Sequence, residues 1–130
     1  MKNPFAKSRH DAHPQRKAII VLPAFNEAPT LAKLLTHIGT AMEEARLNFH
    51  VVLIDDGSTD DTAAIASGFS RTMAMTLRRH DVNQGLGATI RDGLVTAIEL
   101  ASDGDIIITM GAGDIWRFGE EFIARLKKAE

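Results

Sequence analysis

The sequence predicts an α/β fold of three layers, with helices on both faces of a mostly parallel sheet. Short apolar runs alternate four times with segments of helical period, a pattern that implies parallel strands joined by right-handed crossovers. The runs are continuously apolar, as strands covered on both faces are. The polar and glycine-rich departures gather in loops 23–27, 55–59, 78–87 and 111–114, each of which follows a strand. Ligands of such sheets sit beyond the carboxyl ends of the strands.

The first predicted strand is Ala18–Leu22, stopped by Pro23. Pro29 suits the first turn of the next helix, where Leu31, Leu34, Leu35, Ile38, Met42 and Ala45 recur at helical spacing. His50–Ile54 is the second strand and Asp55-Asp56-Gly57-Ser58 ends it. Ser58 or Thr59 is placed to cap a helix running to about Ser70, with Asp60 and Asp61 near its positive end. Met73–Leu77 is the third strand. The loop Asn83-Gln84-Gly85-Leu86-Gly87 leads into a helix with Ile90, Leu94, Ala97, Ile98 and Ala101 on one face. Asp105–Met110 is the fourth strand, Gly111-Ala112-Gly113-Asp114 a turn, and Glu120–Lys128 a last helix with Phe122, Ile123 and Leu126 apolar.

The 130 residues suit one domain, 18–130, after a basic tail, 1–17. The tail holds Lys2, Lys7, Arg9, Arg16 and Lys17 against the single acid Asp11 and has no apolar core, so it is not a secretory signal and is expected to be solvated. A net charge of −2 gives no case for nucleic acid or a membrane surface. No apolar run approaches the roughly 18 residues of a membrane span. The absence of cysteine excludes disulfides, thiolate metal sites and a cysteine nucleophile, and fits a cytoplasmic location.

The loops differ from common phosphate cradles. Pro23-Ala24-Phe25-Asn26-Glu27 is neither a dinucleotide-binding glycine turn nor a P-loop. It offers an aromatic ring, an amide and a carboxylate, which can stack on a flat ring and accept hydrogen bonds from a base or ribose. Equally, Asn26 can cap a helix and Phe25 can fill a core. Asp55 and Asp56 place two like charges side by side, which a donor-rich ligand would relieve. Helix capping by Asp56 and Ser58 is the alternative.

Pro-Ala-Phe-Asn-Glu (23–27), Asp-Asp-Gly-Ser-Thr-Asp (55–60) and Asn-Gln-Gly-Leu-Gly-Ala-Thr-Ile-Arg-Asp-Gly (83–93) resemble three signatures of family 2 glycosyltransferases, in that family's order and spacing. They look closest to the dolichyl-phosphate mannosyltransferase and undecaprenyl-phosphate sugar transferase branch, over about residues 18–126. The resemblance implies a GT-A fold and a nucleotide-diphosphate sugar, UDP- or GDP-linked, as ligand, with transfer to a polyprenyl phosphate or a glycan. It implies that Pro23, Ala24, Phe25, Glu27, Asp55 and Asp56 hold base and ribose. Asn83 and Gly85 would shape the loop under the nucleotide, Gly87 would allow close approach, and Arg91 would reach the base or phosphates. Phe25 stands where the family usually has Tyr.

The resemblance also implies Mg²⁺ or Mn²⁺, held by an Asp-Ala-Asp after the fourth strand. Here Gly111 and Gly113 replace both aspartates, leaving Asp114 as a weak substitute ligand. Asp103-Gly104-Asp105 has the spacing but precedes its strand, at the wrong edge of the sheet. Arg78, Arg79 or Arg91 could neutralise phosphates without metal. His-Pro-Pro of the family is Trp116-Arg117-Phe118 here, and the acceptor half with its catalytic base is expected beyond the chain. No catalytic residue follows from a motif, and His10, His13, His37, His50 and His80 form no ligand spacing. Two functions fit: a glycosyltransferase, or a truncated, non-catalytic nucleotide-binding module. The sheet edge left by truncation makes self-association an expectation.

Overall fold

The computed structural model describes residues 16–110. Most of the basic tail, the 111–114 turn with Asp114, and the predicted helix 120–128 lie outside the described residues. The elements are β1 (Lys17–Ala24), α1 (Ala28–Ala45), β2 (Asn48–Asp55), α2 (Thr62–Phe69), β3 (Met75–Arg79), α3 (Leu86–Leu100) and β4 (Ile106–Thr109). The described strands form one parallel sheet in the order β3-β2-β1-β4.

Successive side chains of β1 and β2 point to opposite faces, which builds two cores. Ile20, Leu22, Ala24, Val51 and Leu53 pack with Leu31, Leu35 and Ile38 of α1 and Ala66 of α2. Ile19, Val21, Val52 and Ile54 pack with Ala97 of α3. The layers are therefore α1 and α2, the sheet, and α3, in agreement with the expected three-layer α/β class.

Several boundaries differ from expectation for local reasons. β1 begins at Lys17, the last residue of the expected tail, because its backbone N–H and ammonium both donate to Asp105. It also runs through Pro23. Val21 C=O accepts from Met110 N–H, so alternate residues of β1 face β4. Pro23 faces that same side beyond the β4 ladder, which ends at Val21↔Thr109, and its missing N–H leaves no ladder bond unmade there. β3 starts two residues later than predicted, and Met73 instead packs against the α1–α2 core.

α2 starts at Thr62. Ser58 and Thr59 do not cap it; Asp60 Oδ1 accepts from both the N–H and the hydroxyl of Thr62. The buried face of α3 is only partly the expected one. Ala97 is buried and Leu94 and Ala101 pack against the same core as spaced, but Thr89, Gly93 and Thr96 are buried too, while Ile98 is 66% exposed. A Cβ on Gly93 would lie 2.4 Å from Val21 Cγ1, so only small groups fit where α3 crosses β1. Thr89 and Thr96 turn their hydroxyls back to the Gly85 and Asp92 carbonyls, which lets a polar residue face the sheet without losing a hydrogen bond.

Candidate functional site

The chain winds from β1 through β2 to β3 in one direction, then places β4 on the other side of β1. Strand order thus reverses beside β1, and the crevice at the carboxyl ends is the expected ligand position. Asp56 N–H donates to Ala24 C=O at 2.8 Å, carrying the β1–β2 pairing into this region.

The first two loops are laced together. Asn26, at φ +50°, accepts from Thr59 N–H through its side-chain oxygen (2.9 Å), and its own N–H donates to Ser58 Oγ (2.9 Å). Glu27 N–H donates to Thr62 Oγ1 and Ala28 N–H to Asp60 Oδ2. Asn26 therefore joins two loops and does not cap α1. Phe25 is left 44% exposed at the cleft, not in a core.

Gly57 brings in the third loop. Its φ is +73°, and a Cβ there would sit 2.6 Å from Asn83 N and from the Val82 carbonyl carbon. Gly87, by contrast, has nothing within 4 Å of its Cβ position; the close protein contacts fall at Gly57 and Gly93. Held under this crossing, Asp56 is 3% exposed. Its Oδ1 accepts from Gln84 N–H (2.7 Å) and lies 2.8 Å from His80 Nδ1, and its Oδ2 accepts from Gly85 N–H (2.9 Å). Burial pushes this carboxyl up, but hydrogen bonds from His80, Gln84 and Gly85 outweigh it and hold it below the ordinary carboxylate value. The other His80 nitrogen, Nε2, lies 2.7 Å from Asp92 Oδ2. Hydrogen bonding to Asp56, opposed by burial and helped by Asp92, raises the imidazole above its ordinary value.

A cleft of about 380 Å³ opens over this arrangement. Pro23, Ala24, Phe25 and Glu27 line it from the first loop, Asp56 from the second, and Asn83 and Gly85 from the third. Leu86 and Thr89 of α3 complete it; sequence reasoning missed both, because Leu86 reads as a loop residue with no role and Thr89 as an ordinary helix residue, whereas the helix begins at Leu86 and its first turn forms part of the wall. His80 and Asp92 were missed as well. The available signal was that His80 lies in a strand-end loop on the ligand side.

Asp55 and Arg91 are not brought to the cleft. Asp55 is fully buried: Oδ1 accepts from Ser58 N–H, and Oδ2 lies 3.3 Å from Arg79 Nε in an ion-pair contact without hydrogen-bond geometry. The two adjacent aspartates are thus compensated inside the protein, one by Arg79 and the other by His80 and backbone donors, and need no ligand to relieve them. Arg91 is exposed on α3. Arg79 also donates to Ser58 C=O, and Arg78 contacts Glu99 at 3.8 Å.

Among the described residues no group of three or more His, Asp or Glu side chains is arranged to hold a metal ion. Asp105 lies at the opposite end of the sheet, paired to Lys17 Nζ at 2.7 Å and held down to about 2 by that contact and by backbone donors. Among the described residues no helix is long and apolar enough to cross a membrane.

The sequence pattern of Glycosyl transferase family 2 matches residues 19–129. The fold is similar to residues 1–349 of S. aureus TarS, with TM-score 0.59 and 19% identity over 84% of this chain and 32% of that one. It is also similar to the mannosyltransferase PcManGT from Pyrobaculum calidifontis, solved in complex with GDP-Man and Mn²⁺, with TM-score 0.51 and 22% identity over 75% of this chain and 30% of that one. The chain spans about a third of the length of each.

Proposed function

Because the chain belongs to glycosyl transferase family 2, we propose that its cleft holds the nucleotide of a UDP- or GDP-linked sugar, as the donor-binding part of a glycosyltransferase. The observation that carries this is the pairing, in one cleft at the strand-order switch, of the exposed ring of Phe25 with the fixed carboxylate of Asp56. Phe25 gives a base a face to stack on. Asp56 lines the cleft and spends part of its acceptor capacity on His80, Gln84 and Gly85; its remaining lone-pair capacity would serve a base N–H. Glu27 and Asn83 add polar groups in reach of a ribose. The volume of about 380 Å³ suits a nucleoside. The GDP-Man held by PcManGT supports the same ligand class.

A polyprenyl phosphate or a glycan is the acceptor in this reading, following the motif resemblance to the dolichyl- and undecaprenyl-phosphate branch. A cytoplasmic location belongs to it too, on the cysteine-free sequence. Self-association would use β4, the four-residue edge strand of the described sheet whose Ile106 is half exposed; sedimentation velocity showing monomer alone would remove that element.

Gly111 and Gly113 do not fit the family's metal: glycine carries no carboxylate, Asp114 is a single ligand, and no cluster among the described residues replaces them. The same two residues favour a second reading, a nucleotide-binding module that performs no transfer. Calorimetric titration with UDP, GDP and their sugars, with and without Mn²⁺, tests both. Binding without Mn²⁺ dependence is expected, weakened about tenfold by Phe25→Ala through lost stacking. No binding of any of them overturns the nucleotide reading. The double change Gly111→Asp, Gly113→Asp should make binding tighten with Mn²⁺; unchanged affinity would place the defect elsewhere.

A further inference from the structure

We propose that His80 is a positioning residue that acts as an imidazolium clamp, fixing Asp56 in the cleft wall and tying α3 to the end of β3, so that nucleoside diphosphates bind more weakly once it loses its proton. The inference rests on the nucleotide reading of the cleft. Both ring nitrogens face carboxylate oxygens, Nδ1 at 2.8 Å from Asp56 and Nε2 at 2.7 Å from Asp92. Ionised carboxylates only accept, so both nitrogens must donate, and only the doubly protonated ring can do that.

The ring is poorly accessible, with its side chain 11% exposed, and it bridges a buried anion to one that is 43% exposed. Two carboxylates face it, Asp56 from the end of β2 and Asp92 from α3. The neighbouring Arg79 is turned to Asp55 and to Ser58 C=O, and Asp81 and Arg91 are exposed. A raised imidazole value is the consequence.

A neutral ring has one N–H and one lone pair, and the lone pair would confront a carboxylate. One contact must open, and Asp92, the exposed partner, is the one that can turn to water. That releases α3, whose first turn supplies Leu86 and Thr89 to the cleft, and whose N-cap is Gly85. Deprotonation also leaves one more net negative charge beside a cleft that receives an anion. Both effects weaken binding as pH rises.

Nitrogen-15 NMR of the histidines in the ligand-free full chain, from about pH 5.5 to 9, and calorimetry with UDP and GDP over the same range test this. We expect both His80 nitrogens protonated at neutral pH and affinity falling about tenfold as the ring deprotonates, the loss of one charged hydrogen bond. Asp92→Asn should lower the His80 midpoint and move the affinity step to lower pH by the same amount; ionisation of the ligand phosphates is common to both proteins. His80→Gln should abolish the step. A neutral His80 at pH 7 overturns the clamp regardless of nucleotide. Affinity flat or rising through the midpoint, or a step that Asp92→Asn does not move, overturns its role in binding. A doubly protonated ring with no binding at any pH overturns the nucleotide reading, and the affinity claim with it.

Discussion

Gly57 and Gly85 separate two reasons for glycine. Both have positive φ, but a Cβ on Gly57 would strike the Val82–Asn83 backbone at 2.6 Å, whereas one on Gly85 meets nothing within 4 Å. Gly57→Ala should therefore cost about 2–4 kcal/mol, strain plus a backbone collision, and Gly85→Ala about 1 kcal/mol of strain alone. Urea unfolding of the two variants checks the order. The Asp-Asp-Gly-Ser sequence showed a turn, but not the chain crossing it, since residues 82–83 come from another loop. His80 has a consequence of its own. Its imidazole is raised in the folded protein, so its stabilisation is complete below the ordinary value of about 6.5 and is lost as pH rises through the folded value. Wild type should lose stability over that window relative to His80→Gln.

Among the elements, α3 shows what hydrophobic periodicity misses. Its apolar stripe pointed to Ile90, Leu94, Ala97, Ile98 and Ala101; Ala97 is buried and Leu94 and Ala101 pack against the same core, but the fully covered face also takes in Thr89, Gly93 and Thr96, and Ile98 is exposed. The closeness of β1 selects small residues, and a pattern search that scores size as burial ranks them last. Gly93→Ala should cost about 1–3 kcal/mol by overpacking against Val21, read by thermal unfolding. α1, with Leu31, Leu35 and Ile38 buried as spaced, has room for large side chains and was legible. The pairing of β1 with β4 at their amino ends rests on Lys17 and Asp105. Asp105 titrates at about 2, below an ordinary aspartate, so its contribution is present above about pH 4 and disappears as pH falls toward 2. The stability difference between wild type and Asp105→Asn should vanish over that interval in acid titrations.

At the scale of the whole molecule, the strand–helix alternation made the sheet legible, and the strand-end rule made three of the four loops legible as one site. What the sequence hid were contacts between residues distant along the chain, such as Asp56, His80 and Asp92, because no local period records them. The middles of β1 and β2, Ile19–Leu22 and Val51–Ile54, are almost wholly inaccessible, and their amides should be the last to exchange hydrogen, after those of β3. The lacing of the first two loops bears on how the chain assembles. At the entry to α1 the N–H groups of Asn26, which precedes the N-cap Glu27, of Glu27 itself and of Ala28 are met by Ser58, Thr62 and Asp60, and Pro29 has no N–H to meet. Helix nucleation is the costly step, and here the groups that complete the first turn arrive only after the second strand has been made. A fragment ending at Gly57 would contain β1, α1 and β2 entire and still fray where α1 begins, so the smallest cooperative unit of this half extends through Thr62.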